Sequence, residues 1–397
     1  MISVSQALSE IAKHRAQPLT ERVPLNALIG TTLAQDISAK VTLPPRDASA
    51  MDGYAARFEE ACEAGKILRV IGEAPAGTPF DGSVGPGECV RIFTGSVIPH
   101  GADTIVIQEN VTRDGDIITT LHDAEVPRHI RKAGIDFKTG DILARKSDTI
   151  GPAQIALLAA GNHDSALVCR RPRVAIIANG DELRVPGSKL LPGQIINSNP
   201  PFLASLIESW GGIAVQAGIA GDTQDDILAM IKTCADADII VPVGGASVGD
   251  HDHMRAAFAK AGLHMIFEKI AVKPGKPTWF GMLGQQRVLG LPGNPASAAV
   301  CAHLFLRPLM TGQSAASAQA RLTKPVSANG PRESYLRARI IAGLDGMTVT
   351  PFPKQDSSLI TPLAEANALL KQAPRAPARN AGDVADVIIL GTGPGLI

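Results

Sequence analysis

The chain has 397 residues, too many for one ordinary core, so two to four domains are expected. Lys+Arg and Asp+Glu both number 38, and this zero net charge argues against a nucleic-acid-binding surface. Hydrophobic residues reach 45% while aromatics are only 4%, so the interiors must rest on Ala, Val, Ile and Leu.

In chain order, Ser5 to His14 reads as an amphipathic helix. From about Leu43 to Asp136, short β-type runs alternate with Gly/Pro turns. Cys89 to Phe93 and Thr104 to Ile107 are the clearest runs, and together they predict a small β-rich domain. Ile155 to Ala160 predicts a short helix ending at Gly161. From Pro172 strands alternate with helices: strand Val174 to Ile177, helix Pro200 to Trp210, helix Gln224 to Cys234 opened by a capping box of Thr223 and Asp226, and strand Asp238 to Val243. This pattern predicts a doubly wound parallel α/β sheet ending near residue 312. Beyond Gln313 the chain turns β-like again, best at Ser334 to Ile341 and Asp386 to Leu390, and Pro325, Pro331, Pro351, Pro353, Pro374 and Pro377 exclude long helices.

Five cysteines (Cys62, Cys89, Cys169, Cys234 and Cys301) lie far apart, with neither zinc-site nor redox spacing, and predict a reducing compartment. The first 16 residues lack the features of a signal peptide. No apolar run approaches the ~20 residues needed to cross a bilayer. A cytoplasmic protein is expected, with no membrane and no nucleic-acid partner.

Two loops carry the chemistry. Val272 to Pro277 offers Lys273 and Lys276 on a proline-stiffened turn; Gly290 to Pro295 ends in Asn294, a candidate N-cap, with Pro295 at the first helical position. A helix from Pro295 to about Met310 would direct free N–H groups beside the lysines, which predicts a site for a phosphate-like or oxometalate-like anion. Turns at 179–182, 221–222 and 244–252 follow strands and bring carboxylates to the crevice where such sheets bind ligands, an arrangement that suits magnesium. The plainer reading makes Asp222 and Asp250 helix N-caps.

Ser247 sits in a Gly-Ala-Ser-Val-Gly run that also matches a hydrolase nucleophile elbow, for which His264 or His303 would complete a triad. The plainer reading lets Ser247 and its glycines bring backbone close to an anionic ligand. His251 and His253, two residues apart at a helix start, do not share a face for joint metal ligation. Asp52, in a Met-Asp-Gly turn, and the Thr94 hydroxyl are further candidates.

These segments resemble the molybdopterin molybdenumtransferase family, the bacterial MoeA type also found as the gephyrin E domain. The likeness runs collinearly through Ser-Ala-Met-Asp-Gly-Tyr-Ala at 49–55, Phe-Thr-Gly at 93–95, Gly-Ala-Asp-Thr-Ile-Val at 101–106 and Arg-Lys-Ala-Gly-Ile-Asp at 131–136. It continues through Gly-Asp-Glu-Leu at 180–183, Gly-Gly-Ala-Ser-Val-Gly-Asp at 244–250, the two loops above and Glu-Ala-Asn-Ala-Leu at 365–369. Asn179 stands where the family has Thr, and Asp250 where it has Glu.

The resemblance implies insertion of molybdate into adenylylated molybdopterin with release of AMP, assisted by Mg2+. The same chemistry with tungstate, or a non-catalytic scaffold, is the alternative. It implies catalytic roles for Asp52, Thr94, Asp136, Glu182, Asp222, Asp252, Lys269 and Lys273, with Glu182, Asp222 and Asp252 serving the metal. Lys273, Lys276, Ser247, Pro292, Pro295, Arg332 and Ser357 would bind or shape the site for substrate and molybdate. The implied architecture is an elongated linking domain (1–43 plus 137–170), a β-rich insert (44–136), a MoaB/MogA-like α/β domain (171–315) and a C-terminal β-barrel (316–397). The resemblance further implies a homodimer whose active cleft is shared between subunits, and a molybdopterin adenylyltransferase as upstream partner.

Overall fold

A computed structural model describes residues 1–244 and 253–391. They fall into two units, Leu19–Cys169 and Met1–Pro18 with Arg170–Ile397. The chain opens with helix α1 (Val4–His14), whose capping box is Ser3 and Gln6: the Ser3 Oγ accepts from the Gln6 N–H at 3.1 Å, and the Gln6 side chain accepts from the Ser3 N–H at 2.8 Å. Its apolar stripe of Val4, Ala7 and Ile11 is buried in the α/β core.

In the Leu19–Cys169 unit, the segments flanking the insert close on each other. Strand Thr20–Pro24 pairs antiparallel with Ser165–Cys169, and Ile37–Ser38 with Ile142–Ala144. Leu28, Leu33, Ile37, Ile150, Val168 and Leu158 of helix α2 (Pro152–Ala160) form the core between them. The insert is a six-stranded sheet. Its strands are β1 (Gly53–Ala56), β2 (Ile67–Ala74), β3 (Glu88–Ile92), β4 (Thr104–Ile107), β5 (Val111–Asp114) and β6 (Ile117–Thr120), in the order β4-β1-β3-β2-β6-β5. Gly53 leaves no room for a side chain, since a Cβ there would strike the Val106 carbonyl oxygen of the neighbouring strand.

The second unit holds the α/β sheet. Its elements in chain order are β7 (Arg173–Asn179), α3 (Asn199–Ser209), β8 (Ile213–Ala220), α4 (Gln224–Thr233), β9 (Ile239–Val243), α5 (His253–Lys260), β10 (His264–Phe267), β11 (Trp279–Leu283) and β12 (Gln286–Gly290). Strand order is β8-β7-β9-β12-β11-β10. Five strands run the same way and β11 runs against them. The cause is local: β11 and β12 are joined by the tight turn around Gly284 (φ +59°), and so short a link can only join antiparallel neighbours. Side chains alternate between two cores, which makes the sheet doubly wound. Val174 and Ile176 face α1 and α3, while Ala175 and Ile177 face α4 and α5.

The helix expected from Pro295 to Met310 forms, with a widened turn inside it. Helix α6 (Pro295–Cys301) passes through a π-helical turn, Ala302–Leu306, into Arg307–Thr311, and ends at Gly312 with φ +74°. Pro308 has no N–H and its ring would crowd the carbonyl of Leu304, so the wider turn relieves a clash that a regular helix would suffer. The C-terminal strands β13 (Ser317–Leu322), β14 (Glu333–Gly343), β15 (Gly346–Pro351), β16 (Ala368–Gln372) and β17 (Val384–Ile389) pair in the ring β14-β15-β13-β17-β16-β14. The result is a closed five-stranded barrel around Ala338, Ile340, Val349, Leu370 and Val387.

Candidate active site

The lysine loop is fastened from three sides. The Ile2 N–H donates to the Lys269 carbonyl at 3.0 Å, and Ala271 returns a bond to the Ile2 carbonyl at 2.7 Å. Val272 and Lys273 pair in parallel with Glu333 and Ser334 of the barrel, and Arg332 Nη1 donates to the Val272 carbonyl at 3.2 Å. Below the turn, the Thr278 hydroxyl lies 2.8 Å from the Gly275 carbonyl and 3.1 Å from the Cys301 Sγ. Gly275 has φ +116°, and a Cβ there would run into the Cys301 sulfur, so only glycine fits. Burial pushes the Cys301 thiol up to about 12, which makes it a packing group and not a nucleophile. Lys273 and Lys276 are left exposed, with Lys269 half-buried.

The second loop continues β12 past the end of β9. Leu291 N–H donates to the Pro242 carbonyl at 2.8 Å, Gly244 N–H to the Leu291 carbonyl at 3.2 Å, and Asn199 Nδ2 to the Gly293 carbonyl at 2.7 Å. Pro292 is buried and Pro295 half-buried. Asn294 does not cap its own helix. Its Nδ2 donates to the Ser357 Oγ at 2.9 Å, while the Ala296 N–H donates to the Ser357 carbonyl at 3.0 Å. The expectation of free N–H groups at this helix start is therefore corrected at Ala296: Pro295 has no N–H and the Ala296 N–H is already taken by the barrel loop.

At the strand ends, Asp222 bridges two turns. One carboxylate oxygen accepts from Asn179 Nδ2 at 3.0 Å, the other from the Asp181 N–H at 3.0 Å. Asp222 is thus not the helix cap. Thr223 caps α4, its Oγ1 accepting from the Asp226 N–H at 3.1 Å. The predicted box is half formed, because the Asp226 carboxylate accepts from the Thr223 hydroxyl at 2.6 Å instead of from the cap N–H. Glu182 is exposed beside Gly180, whose φ of +146° and lack of Cβ leave space for its carboxylate. Among the described residues Asn179 Oδ1 is buried without a partner. Among the described residues no three acidic, His or Cys side chains gather tightly enough to define a metal centre. Asp252, Asp250, His251 and Ser247 lie outside the described residues.

The hydrolase reading fails on its histidines. His264 starts β10, a strand parallel to β9, and therefore lies at the opposite end of the sheet from the turn that follows Val243. His303 is only 4% exposed, stacks edge-on against Trp210 at 5.1 Å, and is pushed down to about 4 by burial.

In the Leu19–Cys169 unit, Asp52 and Thr94 meet as expected from neither position alone. The Thr94 N–H and hydroxyl both donate to one Asp52 oxygen at 2.8 Å, and these bonds hold the carboxyl below its ordinary range. Arg91 braces the turn: Nη1 donates to the Gly53 carbonyl at 3.1 Å, Nη2 to Gln108 Oε1 at 2.7 Å, and the guanidinium lies 4.8 Å from the Phe93 ring centre. Asp136 is exposed, and its N–H donates to the Leu43 carbonyl at 3.2 Å. Among the described residues no hydrogen bond joins its carboxylate to Asp52 or Thr94. Sequence reading missed Arg91, Asn199 and Arg337. Arg337 gave only a partial signal, as a cation in a strand that also carries Arg339, and the pattern does not tell which of the two is buried.

Comparison with known proteins gives concordant matches along the chain. Residues 2–161 match the MoeA N-terminal region (domain I and II), 175–312 a probable molybdopterin binding domain, and 319–390 the MoeA C-terminal region (domain IV). A molybdopterin molybdenumtransferase of a Nostoc species is 34% identical over 376 residues, covering 90% of this chain and 86% of its own. The Haemophilus influenzae enzyme of that name is 34% identical over 78% of this chain and 77% of its own. A solved structure of a molybdopterin biosynthesis MoeA protein from Pyrococcus horikoshii superposes with a TM-score of 0.87 at 29% identity, covering 99% of this chain and all of that one.

Proposed function

The chain belongs to the molybdopterin molybdenumtransferase family, and we propose that it performs the last step of molybdenum cofactor assembly: molybdate enters the dithiolene of adenylylated molybdopterin and AMP leaves. The observation that supports this reading is that one unit holds two exposed lysines on a fastened turn, the Pro292–Pro295 loop bonded to the end of β9, and the Asp222 turn at the neighbouring strand ends.

Lys273 and Lys276 attract and hold the tetrahedral dianion, with Ser357 and Arg332 approaching from the barrel. Lys269 neutralises substrate phosphate. Pro292 and Pro295 shape the pocket, and Ser247 and its neighbouring glycines let the backbone approach the ligand. Asp52, Thr94 and Asp136 serve the same reaction from the β-rich insert.

Glu182, Asp222 and Asp252 would hold Mg2+. The fit is chemical: the donors are all carboxylate oxygens, and the Asn179 side chain that holds Asp222 carries an amide oxygen unpartnered among the described residues. When bound, magnesium supplies charge neutralisation at the phosphoanhydride and assists departure of AMP. The protein acts as a homodimer with its cleft shared between subunits, receives substrate from a molybdopterin adenylyltransferase, and works in the cytoplasm. That placement is consistent with the described residues having no helix long and apolar enough to cross a membrane.

The test is AMP release from adenylylated molybdopterin by the purified protein with magnesium, with molybdate, with tungstate and with neither. Molybdate-dependent release supports the reading. Preference for tungstate would change the metal and keep the chemistry. Bound substrate with no release under any condition would leave a scaffold.

A further inference from the structure

Arg337 lies on strand β14 and is 1% exposed. Burying a guanidinium is costly unless its donors are met, and here backbone carbonyls of a single loop meet most of them. Nη1 donates to the Leu359 carbonyl at 3.0 Å, and Nη2 to the Asp356 carbonyl at 2.8 Å and the Lys354 carbonyl at 3.5 Å. Gln355 locks the same loop to the same residue. Its Oε1 accepts from the Arg337 N–H at 3.0 Å, and its Nε2 donates to the Arg337 and Phe352 carbonyls, each at 2.9 Å.

Residues 352–359 form neither helix nor strand, so their carbonyls have no ladder to join. One side chain supplies what secondary structure would have supplied. The planar fork of arginine can reach several carbonyls at once, and a lysine ammonium on its flexible stem cannot hold them in that geometry.

The tip of this loop is Ser357. Its carbonyl accepts from the Ala296 N–H and its hydroxyl from Asn294 Nδ2. Asn294 and Ala296 flank Pro295, at the end of the Pro292 loop. The grip of Arg337 is therefore passed through Ser357 to the start of α6, across the junction between barrel and α/β sheet.

We propose that Arg337 is a positioning residue for the anion site: by gathering residues 354–359 it fixes Ser357 against Asn294 and Ala296, and so sets how closely the barrel meets an oxyanion held by the lysine loop. This rests on the functional reading above, because the anion is identified there as molybdate. Arg337 touches no substrate, and its effect is felt through Ser357.

The experiment compares Arg337→Gln, Arg337→Lys and Gln355→Leu with the parent protein. Gln355→Leu loosens the same loop while leaving the buried cation in place, and serves if the arginine variants fail to fold. Molybdate KM is expected to rise about tenfold or more, as sub-ångström misplacement of a binding group would require. KM for adenylylated molybdopterin and kcat at saturating molybdate should stay near the parent values. Hydrogen exchange at the Ala296 amide should quicken while the sheet amides stay protected.

A fall in activity that follows only the folded fraction, with molybdate KM unchanged, would overturn the proposal. So would a parent-like molybdate KM in Arg337→Lys. If the parent protein itself releases no AMP, the functional reading has failed, and the exchange comparison then decides alone. Faster Ala296 exchange in the variants supports the positioning role, and unchanged exchange ends it.

Discussion

Asn179 and Asp222 join the ends of two neighbouring parallel strands through one hydrogen bond of 3.0 Å, from Asn179 Nδ2 to an Asp222 carboxylate oxygen. The second Asp222 oxygen holds the Asp181 N–H. The carboxylate thus has a structural task in the crevice beside any task toward a metal, and substitution separates them. Asp222→Ala loses both bonds and should cost about 1–3 kcal/mol of stability, read from denaturant unfolding. Asp222→Asn keeps an acceptor, so it should lose less stability while still losing most of the magnesium-dependent AMP release. Full activity in Asp222→Asn would restrict the residue to its structural task.

The lysines invite a different expectation, because they do not support the fold. Lys273 is exposed and its strand is held by backbone pairing with β14. Lys273→Ala should leave the thermal midpoint unchanged and reduce molybdate-dependent turnover by about 100-fold or more, the usual size for removing one electrostatic contact to a developing charge. A variant with near-parent turnover would remove Lys273 from the anion site.

Gly275 tests how tightly the turn beneath those lysines is built. At φ +116°, with a Cβ directed into the Cys301 sulfur, Gly275→Ala combines backbone strain with a steric clash. The expected loss is about 1–3 kcal/mol from the backbone alone. Cys301→Ala should recover part of it in the double variant, because the clash partner has been trimmed. Additive losses would show that the clash is not the cause.

The parts of this molecule that could be read from sequence are those governed by local periodicity. The strand Val174 to Ile177 alternates between two buried faces, and its apolar run announces both. Lys273, Lys276 and Pro295 stood out because prolines and glycines punctuate their loops. What stayed hidden depends on partners far away in the chain. Thr278 reaches Cys301 across 23 residues and Asn294 reaches Ser357 across 63. An asparagine before Pro295 has the local signature of an N-cap, and only the arrival of the barrel loop explains why it is used otherwise. The reversed direction of β11 was likewise invisible to apolar patterning, although the Gly284 turn encodes it.

His303 gives a pH prediction. Its ring is buried in the π-helical turn, packed on Trp210, with Nδ1 unpartnered, and burial first, then the Arg307 charge, depress it from 6.5 to about 4. The unfolded chain takes up a proton near pH 6.5 that the folded protein refuses until about pH 4, so the unfolded state binds more protons between those values. The stability associated with neutral His303 is therefore complete above about pH 6.5 and is lost progressively as pH falls toward 4, by up to about 3 kcal/mol. His303→Phe removes the titrating group while keeping an aromatic ring against Trp210. Urea unfolding of the parent and the variant from pH 7.5 to 4.5 should give curves that diverge below about pH 6.5, with the variant losing less stability. Parallel curves across that window would place the acid sensitivity elsewhere in the molecule.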